Sequence, residues 1–208
     1  MKFVSTRGYD GKFSASEAIV QGIAPDGGLF VPESIPTISN DEIEEMMNME
    51  YYQLSAKVIS MFLEDFTEAE LLDYTRAAYD LEKWEEKGVP LVQLNEYNDR
   101  EYMLELWHGP TAAFKDVALQ LLPHLMTASI RKTGVDKKVC ILTATSGDTG
   151  KAALAGFADV PGTGIVVFYP KDGVSKIQEK QMVTQRGNNV KVVAIKGNFD
   201  DAQTGVKE

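Results

Sequence analysis

The sequence predicts an α/β protein, with a mostly helical leading domain over 1–88 and an incomplete parallel-sheet domain over 89–208. Three observations carry this reading. From Leu91 onward, short apolar runs alternate with stretches of helical spacing, the order that buries parallel strands beneath covering helices. Before Leu91, apolar residues recur at helical spacing behind Ser or Thr starts followed three residues later by Glu. Between the two, Asp80 to Gly88 is charged and lacks apolar periodicity, which marks a soft boundary.

The elements follow in order. After a short extended start, Ser14-x-x-Glu17 forms a capping box for a helix ending near Gly22. Pro25-Asp-Gly-Gly28 is a turn, and Pro32 and Pro36 keep the next stretch extended. Helices are expected over 41–49, 52–63 and 68–81, the last opened by Thr67-x-x-Glu70. Met46, Met47 and Met49 read as core or helix-packing residues. Leu91–Leu94 and Glu101–Leu106 read as strands around a turn at 95–100. A helix over 117–130 follows, then the strand Val139–Thr143, a helix to Ala158, and the strand Ile165–Tyr169. A helix over 174–186, the strand Val190–Ile195 and a helix opening at Phe199 complete the series.

Two segments carry chemistry. In Glu105-Leu-Trp-His-Gly-Pro-Thr-Ala-Ala-Phe-Lys-Asp116, Lys115 stands where a small-residue turn gives way to an apolar helix. Positive potential at a helix N-terminus and desolvation both favour loss of the ammonium proton, so this lysine is suited to attack a carbonyl. The bland alternative is a surface lysine in a first helical turn. In the second segment, the strand Val139–Thr143 runs through Ala144-Thr-Ser-Gly-Asp-Thr-Gly150 into a small-residue helix. Strand, Gly-rich turn and helix present free backbone N–H groups to an anion, and the hydroxyls of Thr145, Ser146 and Thr149 add donors. A nucleotide P-loop is excluded by spacing: Gly147 and Gly150 are two residues apart where four are required, and Ala152 follows Lys151. Ligands of parallel sheets bind at strand carboxyl ends, and both turns follow strands, so both are expected at one sheet edge.

Together, His108-Gly-Pro-Thr-Ala-Ala-Phe-Lys-Asp116 and Thr145-Ser-Gly-Asp-Thr-Gly150 resemble threonine synthase, of the pyridoxal-phosphate enzymes built like the tryptophan synthase β subunit. Ser5-Thr-Arg-Gly8 and Gly22-Ile-Ala-Pro-Asp-Gly-Gly-Leu-Phe-Val-Pro-Glu33 are similar to that family's leading domain, and Asp172-Gly-Val-Ser-Lys176 to its following segment. The resemblance implies pyridoxal 5′-phosphate as cofactor and conversion of O-phosphohomoserine and water to threonine and phosphate. It implies Lys115 as the cofactor-bearing, proton-shuttling residue, with Phe114, Ser146, Gly147, Asp148, Thr149 and Gly150 at the cofactor. It puts Thr145 and Ser146 at the substrate. His108 and Thr111 are candidates to assist phosphate departure, with a structural role for His108 as the alternative. Many relatives have asparagine where Asp148 stands; an ionised aspartate only accepts hydrogen bonds, so Asp148 facing a carboxylate would repel it.

In the family, a later segment supplies a Gly-rich loop for the cofactor phosphate. Neither Arg186-Gly-Asn-Asn189 nor Lys196-Gly-Asn198 has that density of glycines. The chain is therefore expected to be the amino-terminal portion of a longer enzyme, inactive alone and prone to self-association through uncovered sheet surface. Two alternatives stay open: another pyridoxal-phosphate lyase such as a threonine dehydratase, and a non-catalytic fragment.

Composition bounds the rest. No apolar run is long enough to span a bilayer, and the first residues lack a signal peptide's apolar stretch. The lone Cys140, inside an apolar strand, reads as a small core residue, and a cytoplasmic location is the default. Residues 1–100 carry 8 basic and 20 acidic side chains, against 13 and 11 in residues 101–208. This argues against nucleic acid as a partner of the first half and leaves the motif-bearing half suited to a phosphorylated small molecule. No metal ligands are read from the sequence.

Overall fold

The computed structural model describes residues 1–79, 82–84, 88–95 and 98–207. Parts of the expected boundary at 80–88 and of the turn at 95–100 lie outside the described residues. Contacts divide the chain into two compact units, Met1–Asp80 with His124–Asp136, and Leu81–Pro123 with Lys137–Glu208. This grouping differs from the compositional division at 88/89, because a helical segment of the second half groups with the leading residues.

The first unit contains strands β1 (Phe3–Ser5) and β2 (Phe30–Pro32) and helices α1 (Ala15–Gln21), α2 (Asn40–Met46), α3 (Tyr51–Ser60) and α4 (Glu68–Ala78). Reciprocal capping boxes start α1 at Ser14/Glu17, α2 at Ser39/Glu42 and α4 at Thr67/Glu70. Each satisfies backbone donors that would otherwise have no intrahelical acceptor. β1 and β2 pair antiparallel. Asp26 joins the two ends of the leading motif. It accepts the Ser5 hydroxyl at 2.6 Å, the Tyr9 N–H at 3.0 Å and the Gly28 N–H at 3.0 Å. The Ser5 hydrogen bond, foremost among these, holds the Asp26 carboxyl below the usual aspartate range. Of the methionine cluster, Met46 is buried but Met47 is 78% exposed, so only part of it packs.

In the second unit, β3 (Leu91–Asn95) and β4 (Asn98–Leu104) form an antiparallel hairpin of their own. The parallel sheet comprises β5 (Val139–Ala144), β6 (Thr163–Pro170) and β7 (Val190–Ile195) in the order β5-β6-β7. Helix α7 (Asp148–Phe157) follows β5, α8 (Lys176–Val183) follows β6, and α9 (Phe199–Lys207) follows β7. Val167 meets Gly150 of α7 and Phe168 meets Ala202 of α9, so helices cover both sheet faces. Cys140 corrects an expectation: it is exposed. Among the described residues, β5 is an edge strand, and the face bearing Cys140 and Leu142 is covered only by the nine-residue α9.

A second correction concerns the helix expected over 117–130. It is broken into α5 (Asp116–Leu119) and α6 (Leu122–Thr133), the latter grouping with the first unit from His124 on. Pro123 is the cause. A continuous helix would need the residue-123 N–H to reach the Leu119 carbonyl, and proline has no N–H and a ring that clashes there. In the first turn of a new helix the same proline is tolerated.

Candidate active site

Lys115 is the N-cap residue of the single-turn helix α5. So short a helix sums few peptide dipoles, which weakens the electrostatic reason first seen for that lysine. Its ammonium nitrogen lies 4.9 Å from the centre of the Phe114 ring, and Phe114 is 58% exposed. The preceding turn is held by Asp116, which is fully buried. Its carboxylate accepts the Thr111 N–H at 2.8 Å, the Thr111 hydroxyl at 2.7 Å and the Ala113 N–H at 3.4 Å. Gly109 has to be glycine here, since a Cβ would lie 2.6 Å from the Asp116 Cβ. The Thr111 hydroxyl proton is thereby committed to Asp116.

His108 points its Nε2 at the Glu105 carboxylate, 2.7 Å away. A carboxylate only accepts, so Nε2 carries a proton and Nδ1 is the other ring site. Nδ1 is buried and has no protein partner among the described residues.

In the second turn, buried and exposed residues divide the work. Thr145 is 1% exposed, and its hydroxyl accepts the N–H groups of Gly147 at 3.0 Å and Gly150 at 2.9 Å. The same hydroxyl donates to the Gly147 carbonyl at 3.1 Å. Thr145 thus shapes the turn from inside. Gly147 takes φ +152°, and a Cβ on Gly150 would lie 2.5 Å from Thr145 Cγ2 and 2.9 Å from Val167 Cγ1, so that glycine permits α7 to approach β6. Ser146 and Asp148 are exposed, and Thr149 is partly so. Among the described residues, no protein acceptor takes the backbone N–H of Ser146, Asp148 or Thr149. These three donors, rather than all of the loop's, are left for an anion at the start of α7.

The turns are brought together by α5 and α7, not by a shared sheet edge. β4 belongs to the separate hairpin, so the Lys115 turn is not at the carboxyl end of a parallel strand. Near the far end of α7, Gly156 has no room for a Cβ against the Leu119 carbonyl. Near its beginning, Lys151 feels the charge of Asp116. Helix α5 therefore packs beside α7. Burial depresses the Lys151 ammonium, while the Asp116 carboxylate opposes that shift, and its Nζ hydrogen-bonds Gln185. Asp116, Lys151 and Gln178, whose amide contacts Asp148, were not singled out from sequence. Of these, Gln178 closes a capping box with Ser175 at the start of α8.

Residues 2–79 match the family model described as threonine synthase N terminus. The threonine synthase of Pseudomonas aeruginosa is 38% identical over 211 residues, spanning 100% of this chain and 43% of that protein. The chain resembles the amino-terminal portion of threonine synthases. The pyridoxal-phosphate-bound threonine synthase of Brucella melitensis superposes with a TM-score of 0.86 at 37% identity, over 100% of this chain and 44% of that one. The yeast enzyme gives a TM-score of 0.86 at 35% identity, with 43% of its chain covered. The chain therefore spans less than half the length of these relatives. Among the described residues, no helix is long and apolar enough to cross a membrane, and no group of three or more His, Cys, Asp or Glu could hold a metal ion.

Proposed function

We propose that this chain forms the lysine-bearing portion of a pyridoxal-phosphate-dependent carbon–oxygen lyase that converts O-phosphohomoserine and water to threonine and phosphate. Beyond the family resemblance, one observation supports the reading: α5, which follows Lys115, packs beside α7, whose opening turn keeps unpaired N–H groups.

The residues fit the cofactor. Among the described residues, Lys115 has no carboxylate or hydrogen-bonding partner, so its amine is available to hold the cofactor covalently and then to carry protons at the substrate carbons. Phe114 offers an exposed ring beside it. When bound, pyridoxal phosphate supplies the electron sink for charge that develops on the substrate. The Ser146, Asp148 and Thr149 N–H groups, with the Ser146 and Thr149 hydroxyls, would orient the substrate carboxylate and the cofactor's ring oxygen. Thr145, Gly147 and Gly150 would keep that turn in shape. His108, its ring oriented by Glu105, would assist phosphate departure only as the imidazolium, in which Nδ1 also carries a proton to donate. Thr111 would act through Asp116, as support for the lysine turn.

Because the chain covers under half of its relatives, we assign this activity to the longer protein that would contain it and expect the 208-residue chain alone to be inactive. A cytoplasmic location is proposed on the same resemblance. Self-association is proposed from the exposed β3–β4 hairpin, where Leu91, Leu94 and Leu104 are each more than half exposed. The test of function is to give the longer protein O-phosphohomoserine and measure products. Threonine and phosphate should appear in equal amounts. Ammonia from threonine, without phosphate release, would replace this reading with a threonine dehydratase.

A further inference from the structure

We propose that Gln178 is a positioning residue for the 145–150 turn, holding the Asp148 carboxylate aside so that the turn's free N–H groups face an anion. This rests on the reading of that turn as an anion site. Gln178 stands in the first turn of α8, and its one amide group joins two elements. The oxygen accepts the Ser175 N–H at 3.0 Å, closing the helix cap, and the nitrogen donates to Asp148 Oδ1 at 2.8 Å. The amide also lies directly over Gly147, where a Cβ would collide with it. The missing side chain of Gly147 is thus what lets α8 reach across to the turn.

The chemistry of the choice is specific. Glutamate and glutamine complete a capping box equally well, but only glutamine has an N–H to offer a carboxylate. Asp148, the first residue of α7, carries its negative charge at the positive end of the helix, where a bound anion must also go. A carboxylate free to swing there would compete with the ligand. The Gln178 hydrogen bond removes that freedom and ties the turn to α8.

The test follows the Ser146, Asp148 and Thr149 amide resonances of the intact chain while inorganic phosphate, a compact anion, is titrated in. Phosphate should shift all three in the parent. Gln178→Glu retains the cap, so the α8 resonances should stay in place. It sets two carboxylates against each other, so the turn resonances should move before any ligand is added. Phosphate affinity should then fall about tenfold, the effect of one added charge at close range in a partly solvated site. Adding Asp148→Asn to Gln178→Glu restores the hydrogen bond in the reverse direction and the original net charge, so turn positions and affinity should recover. Ligand-free turn resonances that stay unmoved in Gln178→Glu overturn the positioning role. Unchanged phosphate affinity in Gln178→Glu overturns it as well. If phosphate shifts none of the three amides in the parent, the anion-site reading itself fails.

Discussion

Gly156→Ala tests the packing on which the whole site depends. The added Cβ would run into the Leu119 carbonyl oxygen and lie 3.1 Å from the carbonyl carbon. The obstacle is backbone, so no side-chain rotation can relieve it, and α5 must move away from α7. Overpacking of this kind costs about 1–3 kcal/mol. Alanine's better helix propensity returns up to about 1 kcal/mol. The expected net loss is about 1–2 kcal/mol, which lowers Tm by roughly 2–8 °C for a chain of this size. Gly205→Ala is the matched control. Gly205 lies in α9 with nothing within 4 Å of its would-be Cβ, so the same substitution there should stabilise by up to about 1 kcal/mol. The assay is thermal and urea denaturation of the parent and both variants. In the longer enzyme, Gly156→Ala should also reduce turnover beyond what its folded fraction explains, because Lys115 sits one residue before α5. If Gly156→Ala matches Gly205→Ala in stability, the close approach of α5 to α7 is refuted.

Three further outcomes are expected. Lys115→Ala in the longer enzyme should abolish both the absorbance of the lysine–cofactor linkage and turnover, and Lys115→Arg should do the same because a guanidinium is effectively never deprotonated; normal turnover in either removes Lys115 from its role. Asp116→Ala should destabilise by roughly 2–4 kcal/mol, since it strands the half-buried Thr111 donors and the buried Ala113 N–H, and it also removes the charge that sustains the Lys151 ammonium, so that ammonium should lose its proton at lower pH, as read by NMR titration. The Asp26 carboxyl is depressed in the fold, so its contribution to stability is complete above the unfolded aspartate pKa and is lost as pH falls through the lowered folded value. Ser5→Ala removes the main cause of that depression and should make the leading unit unfold at a higher pH in acid titration; an unshifted acid transition would show that Asp26 does not couple to folding.

Local order was legible along most of the chain. The capping spacings at Ser14 and Thr67 name their own helix starts, because each box satisfies backbone donors with side chains three residues away. The apolar runs Val139–Thr143, Ile165–Tyr169 and Val190–Ile195 announce strands buried between helices, and the Gly-rich turn after the first announces a ligand end. Pro123 also carried its message in sequence, the end of a helix, although helical spacing on both sides disguised it. What only the tertiary structure decided depends on partners distant in sequence. That among the described residues β4 pairs with β3 alone, that α5 packs beside α7, and that Cys140 on an edge strand is exposed all follow from which surfaces meet. The same holds inside the turn. Its composition marks it as an anion cradle, yet the buried Thr145 hydroxyl takes up two of its N–H groups, and a glutamine thirty residues away bonds its Asp148 carboxylate. Periodicity and capping act within a few residues, whereas the direction of a hydrogen bond between two helices is set by packing that no local pattern encodes.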